Sequence, residues 1–434
     1  MELFIGLLLL VVTLLIGLPV PFAFMLTTIY YIFSLNYDPS FLIPYGFSKL
    51  NNIVLLAIPL FIIAGGLMDR GGIAKRIVDF AELFVGKIKG GTGIMTVVAC
   101  AIFGAITGSG AAALASLGPI LIPRLAESGY SRGFASSLIS SASILGLLIP
   151  PSAIMILYAW VGNQSVLAAF LSTVIPGLIL AALLIIINLI YMRKREVPVV
   201  HQEAVDPSLS GFARVRRTTI SAIPALLMPF LVLGGIYGGV MTPTEAAAVS
   251  ALYAIPVGFL IYRKLTGRKF YETLVEAAVS TGVIMIMIFG SMLLSRIFIT
   301  ENLPVVLKEL MLSISDNKYV LMFMINLFLI IIGMIMDDVS AVLLATPLLL
   351  PIVVGLGIDP IHFAAILGVN LGIGLLTPPA APLLYLGGRV GKTPIAEMLG
   401  PTAIMILFAW IPTLVITTVF PQVALFLPNL ILGR

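Results

Sequence analysis

The sequence predicts an all-α polytopic membrane protein, an inverted repeat of about ten transmembrane helices plus two re-entrant helical hairpins. Three observations carry that expectation. Of 434 residues 60% are hydrophobic and 10% charged, with a mean hydropathy of +1.17; a soluble chain of this length could not cover such a surface with polar groups. Apolar runs of about 20 residues, the length that crosses a bilayer as helix, recur from end to end. Finally, "GLLIPPSA" (Gly146 to Ala153) returns as "GLLTPPAA" (Gly374 to Ala381), 228 residues later.

Hydropathy and turn signals place spans near 2–17, 20–35, 52–69, 133–160 and 166–192, then near 218–238, 245–262, 274–298, 360–387 and 398–427. The first run has Glu2 as its only early charge, with no basic segment and no clean small-x-small site, so it predicts a retained span rather than a signal peptide. Two further apolar regions, 92–123 and 319–354, are interrupted at their centres by small or charged residues and predict re-entrant hairpins. The expected organisation is a first repeat over 1–192, with scaffold helices to 90, hairpin and broken helix over 91–165 and a further span over 166–192. A linker follows over 193–217. The second repeat, 218–434, has scaffold helices over 218–318, hairpin and broken helix over 319–392 and the last span over 398–427.

Charge supports the layout. Arg70, Lys75, Arg76, Lys87 and Lys89 share one loop, and Arg193, Lys194, Arg195, Arg214, Arg216 and Arg217 the longest. Arg263, Lys264, Arg268 and Lys269 make a third, Arg389 and Lys392 a fourth, and all fall on one side with Arg124 and Arg132. The positive-inside rule makes that side cytoplasmic, so both termini are expected outside. The net charge of +5 is spread over loops without the basic face that nucleic acid requires. Cys100 stands alone and the histidines are only His201 and His362, which argues against disulfides and against thiolate or imidazole metal sites.

With no gap, a shift of 228 puts Pro119 on Pro347, Pro123 on Pro351, Gly129 on Gly357 and Gly146-Leu147-Leu148 on Gly374-Leu375-Leu376. Each half then holds five spans and one hairpin, and an odd number of crossings turns the second half upside down. Paired prolines at depth free backbone carbonyls for a cation and expose a half-helix N-terminus to an anion. "GLLIPPSA" and "GLLTPPAA" are therefore candidate ion or substrate sites.

The hairpin tips supply candidate partners. "AITGSGAA" offers the Thr107 and Ser109 hydroxyls among glycines, and "GMIMDDVSA" puts Asp337 and Asp338 on the aligned positions Ser109 and Gly110. A carboxylate within an apolar segment is costly and marks a functional position, although Asp also caps helices well. Asn370, the only amide of its span, leads with Gly372 and Gly374 into the second break, where it can serve a cation, a substrate or an interhelical hydrogen bond. Hydroxyl, carbonyl and carboxylate oxygens favour Na⁺ over a transition metal, with a proton on a buried Asp as the competing coupling ion. Ser136, Ser137, Ser140, Ser141 and Ser143 form a small-residue face suited to helix packing. Arg296 suits snorkelling, and Glu245 opens an ordinary helix start.

"AIPLFIIAGGLMDRGGIAKRI", "FGAITGSGAAALASLG", "SASILGLLIPPS" and "LGIGLLTPPAAP" together, in this order, resemble the large membrane subunit of tripartite ATP-independent periplasmic (TRAP) transporters, the DctM type, over essentially the whole chain. The resemblance implies an elevator-type secondary transporter of the bacterial inner membrane, not an enzyme, that takes up an organic acid anion such as a C4-dicarboxylate or sialic acid using Na⁺. It also implies a small four-helix membrane subunit and a periplasmic substrate-binding protein as partners. Some relatives carry the small subunit fused at the N-terminus, and a first span beginning about three residues in is not expected to leave room for it. Carried over by motif, the Na⁺ and substrate sites comprise Thr107, Gly108, Ser109 and Gly110 with Pro150 and Ser152, then Asp337 and Asp338 with Thr377 and Pro378. The Na⁺ candidates are then Thr107, Gly108, Ser109, Gly110, Pro150, Asp337, Asp338, Asn370, Gly374, Thr377 and Pro378, while Ser109, Gly110, Ser152, Asn370, Thr377 and Ala380 form the substrate set. Many relatives have a second hydroxyl where this chain has Gly110.

Three other classes compete. A stand-alone Na⁺- or H⁺-coupled anion symporter would share the architecture without a binding protein. An aspartyl intramembrane protease needs two carboxylates on separate helices, whereas these are adjacent, and "GxGD" and "HExxH" are absent. A channel could be built on hairpins, but an inverted repeat with broken helices favours alternating access.

Overall fold

The computed structural model describes residues 2–85, 88–193 and 211–433, which form helices and turns with no strand among them. The first repeat comprises α1 (Glu2–Leu15), α2 (Val20–Ser34), α3 (Pro39–Leu50), α4 (Ala57–Arg70), α5 (Ile73–Val85), α6 (Gly91–Thr107), α7 (Gly110–Glu127), α8 (Arg132–Ser143), α9 (Leu145–Leu148), α10 (Ala153–Val161) and α11 (Val166–Arg193). The second comprises α12 (Gly211–Tyr237), α13 (Pro243–Pro256), α14 (Gly267–Thr300), α15 (Leu303–Ile314), α16 (Lys318–Ile335), α17 (Asp338–Gly355), α18 (Pro360–Gly374), α19 (Pro382–Gly391), α20 (Ile395–Met405), α21 (Ile411–Val419) and α22 (Pro421–Leu432).

The repeat is realised residue for residue at the hairpins. Adding 228 to the bounds of α7 gives those of α17, and Thr107, the last residue of α6, lands on Ile335, the last of α16. Packing is reciprocal between halves. Helix α7 lies on α19 and α10 on α17; α8 lies on α20 and α18 on α11; α2 lies on α14 and α4 on α13. Contacts in which element i meets j′ while j meets i′ are the mark of a two-fold.

The halves interlock through small residues. Ser137 Oγ donates to the Met398 carbonyl at 3.0 Å and accepts from Thr402 Oγ1 at 2.9 Å, and Ser136 Oγ meets Thr393 Oγ1 at 3.0 Å. The serine face of α8 is therefore helix packing. Within the second repeat, Trp410, fully buried, fits where Gly372 has no side chain: a Cβ there would stand 2.3 Å from its ring.

Several boundaries depart from expectation. Among the described residues eight helices are long and apolar enough to cross a membrane, or nine if the pair 132–148 and 153–161, bent by 43°, is one span. Two of the eight are the arms of the second hairpin, whereas α1 and α2 have only 14 and 15 residues. The span expected at 398–427 ends at Val419, because Pro421 cannot donate to the preceding turn and opens α22 instead. Short π segments interrupt the chain at Val257–Ile261, just after Pro256, and at Ile406–Trp410, just before Pro412. Helices α3, α5 and α15 were unanticipated: at 12, 13 and 12 residues they are too short to span. Most of the 193–217 linker lies outside the described residues, and α12 begins at Gly211. Glu245 closes a capping box with Thr242 at the start of α13, as its helix-start pattern implied.

One asymmetry shapes the scaffold. By the same shift, α3, a short 3₁₀ turn at Ile53–Leu56 and α4 correspond to α14, which runs unbroken for 34 residues. The jointed element and the straight one lie together, pinned where Arg70 of α4 reaches Glu272 at 2.9 Å and Glu276 at 2.5 Å.

Candidate ion and substrate site

Each hairpin tip meets the break of its own repeat, backbone against backbone. The first hairpin turns at Gly108, which takes φ +64° as the C-cap of α6 and donates to the Gly104 carbonyl at 2.7 Å. A left-handed residue suits glycine here, and a Cβ would stand 2.7 Å from the Pro151 carbonyl oxygen. Ser109 then caps α7, its Oγ accepting from Ala112 N at 3.4 Å. Thr107 Oγ1 is 3.2 Å from the Phe103 carbonyl and 3.4 Å from that of Ser109, within reach of both. A Cβ on Gly104 would sit 2.3 Å from Gly146 Cα, so tip and break touch without side chains between them. Gly110 lies close to the Ser143 carbonyl and to Leu383 of the other repeat.

The first break runs from Ile149 to Ser152, between α9 and α10, and its Pro150–Pro151 peptide is cis. Pro150, Pro151 and Ser152 are buried. Ser152 precedes α10 as N-cap, yet its Oγ has no hydrogen-bond partner. That leaves a hydroxyl beside the break with its hydrogen-bonding capacity unspent.

The second tip repeats this with carboxylates. Asp337 holds the N-cap position of α17, but its side chain takes no backbone N–H; Oδ1 accepts from Ser340 Oγ instead. Asp338 Oδ1 accepts only from Val339 N, at 3.0 Å. Both carboxylates are half-buried and neither has an ion-pair partner among the described residues. Capping alone therefore does not account for the pair. A Cβ on Gly374 would lie 2.4 Å from Gly333 Cα and from its carbonyl carbon, and Ala380 N donates to the Met334 carbonyl at 3.0 Å. Thr377 Oγ1 donates to the Ile373 carbonyl at 2.7 Å. The Pro378–Pro379 peptide is cis as well, yet Pro378, Pro379 and Ala380 are exposed where their counterparts are sealed.

Asn370 sits one turn below the second break. Its Nδ2 donates to Asn326 Oδ1 of α16 at 2.9 Å and to the Ile366 carbonyl at 2.8 Å, and Asn326 in turn donates to Thr418 at 3.1 Å. The amide is thus an interhelical bond, while its buried Oδ1 has no partner.

The chain is similar to known proteins over most of its length. A family model described as the tripartite ATP-independent periplasmic transporter, DctM component, matches residues 7–423. The chain belongs to the DctM family. It is 35% identical to the sialic acid TRAP transporter large permease SiaM of Vibrio cholerae, covering 96% of each chain. It is also 35% identical to the C4-dicarboxylate large permease DctM of Pseudomonas aeruginosa over 88% of each. An isethionate permease, DctMQ of Oleidesulfovibrio alaskensis, is 34% identical, and there the match spans only 59% of the longer protein. In structure it resembles the Alcanivorax borkumensis YdaH transporter, with a TM-score of 0.61 over 87% of this chain and 86% of that one; at 16% identity this is likeness of fold alone.

In this DctM permease the residues singled out in the sequence separate into two groups. Thr107 to Gly110 lie on the tip whose Gly108 meets Pro151, between Pro150 and Ser152 in the chain; Asp337 and Asp338 lie on the tip whose Met334 meets Ala380 beside Thr377 and Pro378. Asn370 is one turn removed, with its donors already engaged. Sequence reasoning missed the contact glycines Gly104 and Gly333, and it missed Ser340. The signal for Ser340 was its position three residues after Asp337, the spacing that faces one helical turn onto the next.

Proposed function

We propose that this DctM permease takes up an organic acid anion together with Na⁺, the anion being delivered by a periplasmic binding protein and the permease working with a small four-helix membrane subunit. The observation that carries the reading is the paired apposition of tip and break, with oxygen atoms left over at both. Ser152 Oγ and Asn370 Oδ1 are buried without partners, and Asp337 and Asp338 accept one hydrogen bond each. No group of three His, Cys, Asp or Glu among the described residues could hold a metal ion, so the donors are hydroxyls, carbonyls and one carboxylate pair. That set fits a hard monovalent cation.

Electrostatics explains why cation and acid travel together. A substrate carboxylate about 5 Å from Asp337 or Asp338 is repelled by roughly 3 kcal/mol per pair at an effective dielectric of 20. Neutralising those carboxylates with a cation lifts that penalty, so each cargo raises the affinity for the other. The N-termini of α10 and α19, which begin at Ala153 and Pro382 just after the breaks, add partial positive charge toward the acid. Thr107, Gly108, Ser109, Gly110 and Pro150 hold the first ion, and Asp337, Asp338, Asn370, Gly374, Thr377 and Pro378 the second. Ser109, Gly110, Ser152, Asn370, Thr377 and Ala380 face the acid.

Because α7 packs on α19 and α10 on α17, each hairpin grips the half-helix of the other repeat. These elements move as one body across the membrane while α1–α5 and α12–α15 stay with the small subunit. The basic loops on one side support an inner-membrane orientation with both termini in the periplasm. The test is uptake of labelled C4-dicarboxylates, sialic acid and isethionate into proteoliposomes holding the permease and small subunit, with the cognate binding protein outside. An inward Na⁺ gradient should drive uptake and a choline gradient should not. Equal uptake in choline, or uptake indifferent to the binding protein, would overturn the proposal, the latter in favour of a stand-alone symporter.

A further inference from the structure

We infer that Ser340 is a coordinating oxygen of the second hairpin's cation position, and that on ion binding its hydroxyl hydrogen turns to the thioether of Met287 on α14. The inference rests on the Na⁺ reading above and adds to it a residue and a route by which the scaffold senses the ion.

Ser340 is fully buried one turn into α17. Its Oγ donates to Asp337 Oδ1 and lies 3.2 Å from Met287 Sδ. A hydroxyl carries one hydrogen and two lone pairs, and a thioether can only accept. One hydrogen cannot serve both neighbours, so with a bare carboxylate at Asp337 the hydrogen goes there and the sulfur waits. A cation seated on Asp337 Oδ1 reverses the preference: it repels the O–H dipole pointed at the carboxylate and attracts the oxygen lone pairs. Rotation about Cβ–Oγ by about 120°, one staggered well to the next, offers a lone pair to the ion, and the sulfur is the acceptor already in reach of the hydrogen. No bond to oxygen is broken; only the hydrogen-bond partner changes.

Met287 and Ser291 are one turn apart on α14, and Ser291 Oγ donates to the Leu343 carbonyl of α17 at 3.1 Å. Scaffold and hairpin are therefore in polar contact at two successive turns, one fixed and one that answers to the ion. The first repeat has no such device. The aligned positions there are Ala112 for Ser340, Pro59 for Met287 and Ile63 for Ser291, none of which can donate or accept through its side chain. The two tips are alike in backbone and unlike in how they report to the scaffold.

The test uses the full chain purified with its small subunit, titrating NaCl against choline chloride and following the thermal unfolding midpoint, which rises as a ligand binds the folded state. Ser340→Ala should raise the half-saturating Na⁺ concentration about tenfold, equivalent to ~1.4 kcal/mol. Ser340→Thr, which keeps the hydroxyl, should stay within about threefold of the parent, and Met287→Leu should weaken binding by about threefold. Melting in choline checks that each variant is folded. Asp337→Asn separates the two levels. If Asp337→Asn weakens the Na⁺ response and Ser340→Ala leaves it unchanged, Ser340 is no ligand and the inference fails while the ion site stands. If neither changes the response, the ion site itself is wrong. A Met287→Leu titration superimposable on the parent would remove the link to α14.

Discussion

Gly374→Ala tests the apposition of tip and break most directly. The added Cβ would stand 2.4 Å from both Gly333 Cα and its carbonyl carbon and 2.8 Å from the carbonyl oxygen, where ordinary contact begins near 3.4 Å. All three atoms are backbone, so no rotamer change relieves the clash, and the tip must retreat by about 1 Å. That retreat also stretches the 3.0 Å bond from Ala380 N to the Met334 carbonyl. Overpacking of this kind costs roughly 1–3 kcal/mol, and an unyielding backbone puts the expectation at the top, about 3 kcal/mol. At about 2.1 cal/mol/K of unfolding entropy per residue, a chain of 434 residues should lose roughly 3 °C from its unfolding midpoint. The Na⁺-induced rise should shrink as well, because the second tip no longer closes on its break. Gly400→Ala is the control: it lies within α20 with nothing within 4 Å, so it should be neutral or slightly stabilising by helix propensity. The four contact glycines should also rank. Gly104→Ala, at 2.3 Å from Gly146 Cα, and Gly374→Ala should be severe, Gly146→Ala, at 2.9 Å from Gly104 Cα, intermediate, and Gly333→Ala, at 3.1 Å from Gly374 Cα, mildest. If Gly374→Ala melts like Gly400→Ala with an undiminished Na⁺ response, tip and break are not in contact and the reasoning fails.

Further outcomes are expected. Asp337→Ala or Asp338→Ala should abolish Na⁺-driven uptake in proteoliposomes while the protein remains folded; undiminished uptake with unaltered Na⁺ dependence would remove the pair from the site. Asn326→Leu should destabilise by about 1–3 kcal/mol, because one hydrogen of the buried Asn370 amide loses its acceptor, and an unchanged melting midpoint would deny the α16–α18 bond. Arg124 meets Asp79 and Glu82 of α5 at 3.5 and 3.6 Å with all three side chains about one-third exposed, so Arg124→Gln should cost under about 1 kcal/mol and less at high salt. A loss of several kcal/mol, unaffected by salt, would mean those ions are far more desolvated than they look.

Much of this was legible in the chain because prolines and glycines constrain backbone wherever they fall. Pro119 on Pro347 and Gly146 on Gly374 set a register that the bounds of α7 and α17 then keep to the residue. Helices α3, α5 and α15 escaped because a hydropathy window tuned to spans overlooks a helix of 12 or 13 residues, and α5 mixes charges with apolar positions. The last span was drawn through Phe420 since its apolar composition hid a proline that resets the ladder. Two features were out of reach of local reading altogether. "GLLIPPSA" and "GLLTPPAA" nearly spell the same word, yet one is sealed and the other exposed, and only the neighbours decide that. The pairing of Ser340 with Met287 spans 53 residues and two helices, so no periodicity announces it.

The glycine contacts have a consequence for genetics. When a core side chain is enlarged, a smaller residue opposite can make room, and suppressor screens find it. Opposite Gly374 stands Gly333, already the smallest residue there is, and opposite Gly104 stands Gly146. Neither partner has anything left to give up, so a lesion at these crossings should find no compensating change across the contact, and revertants should restore the original glycine.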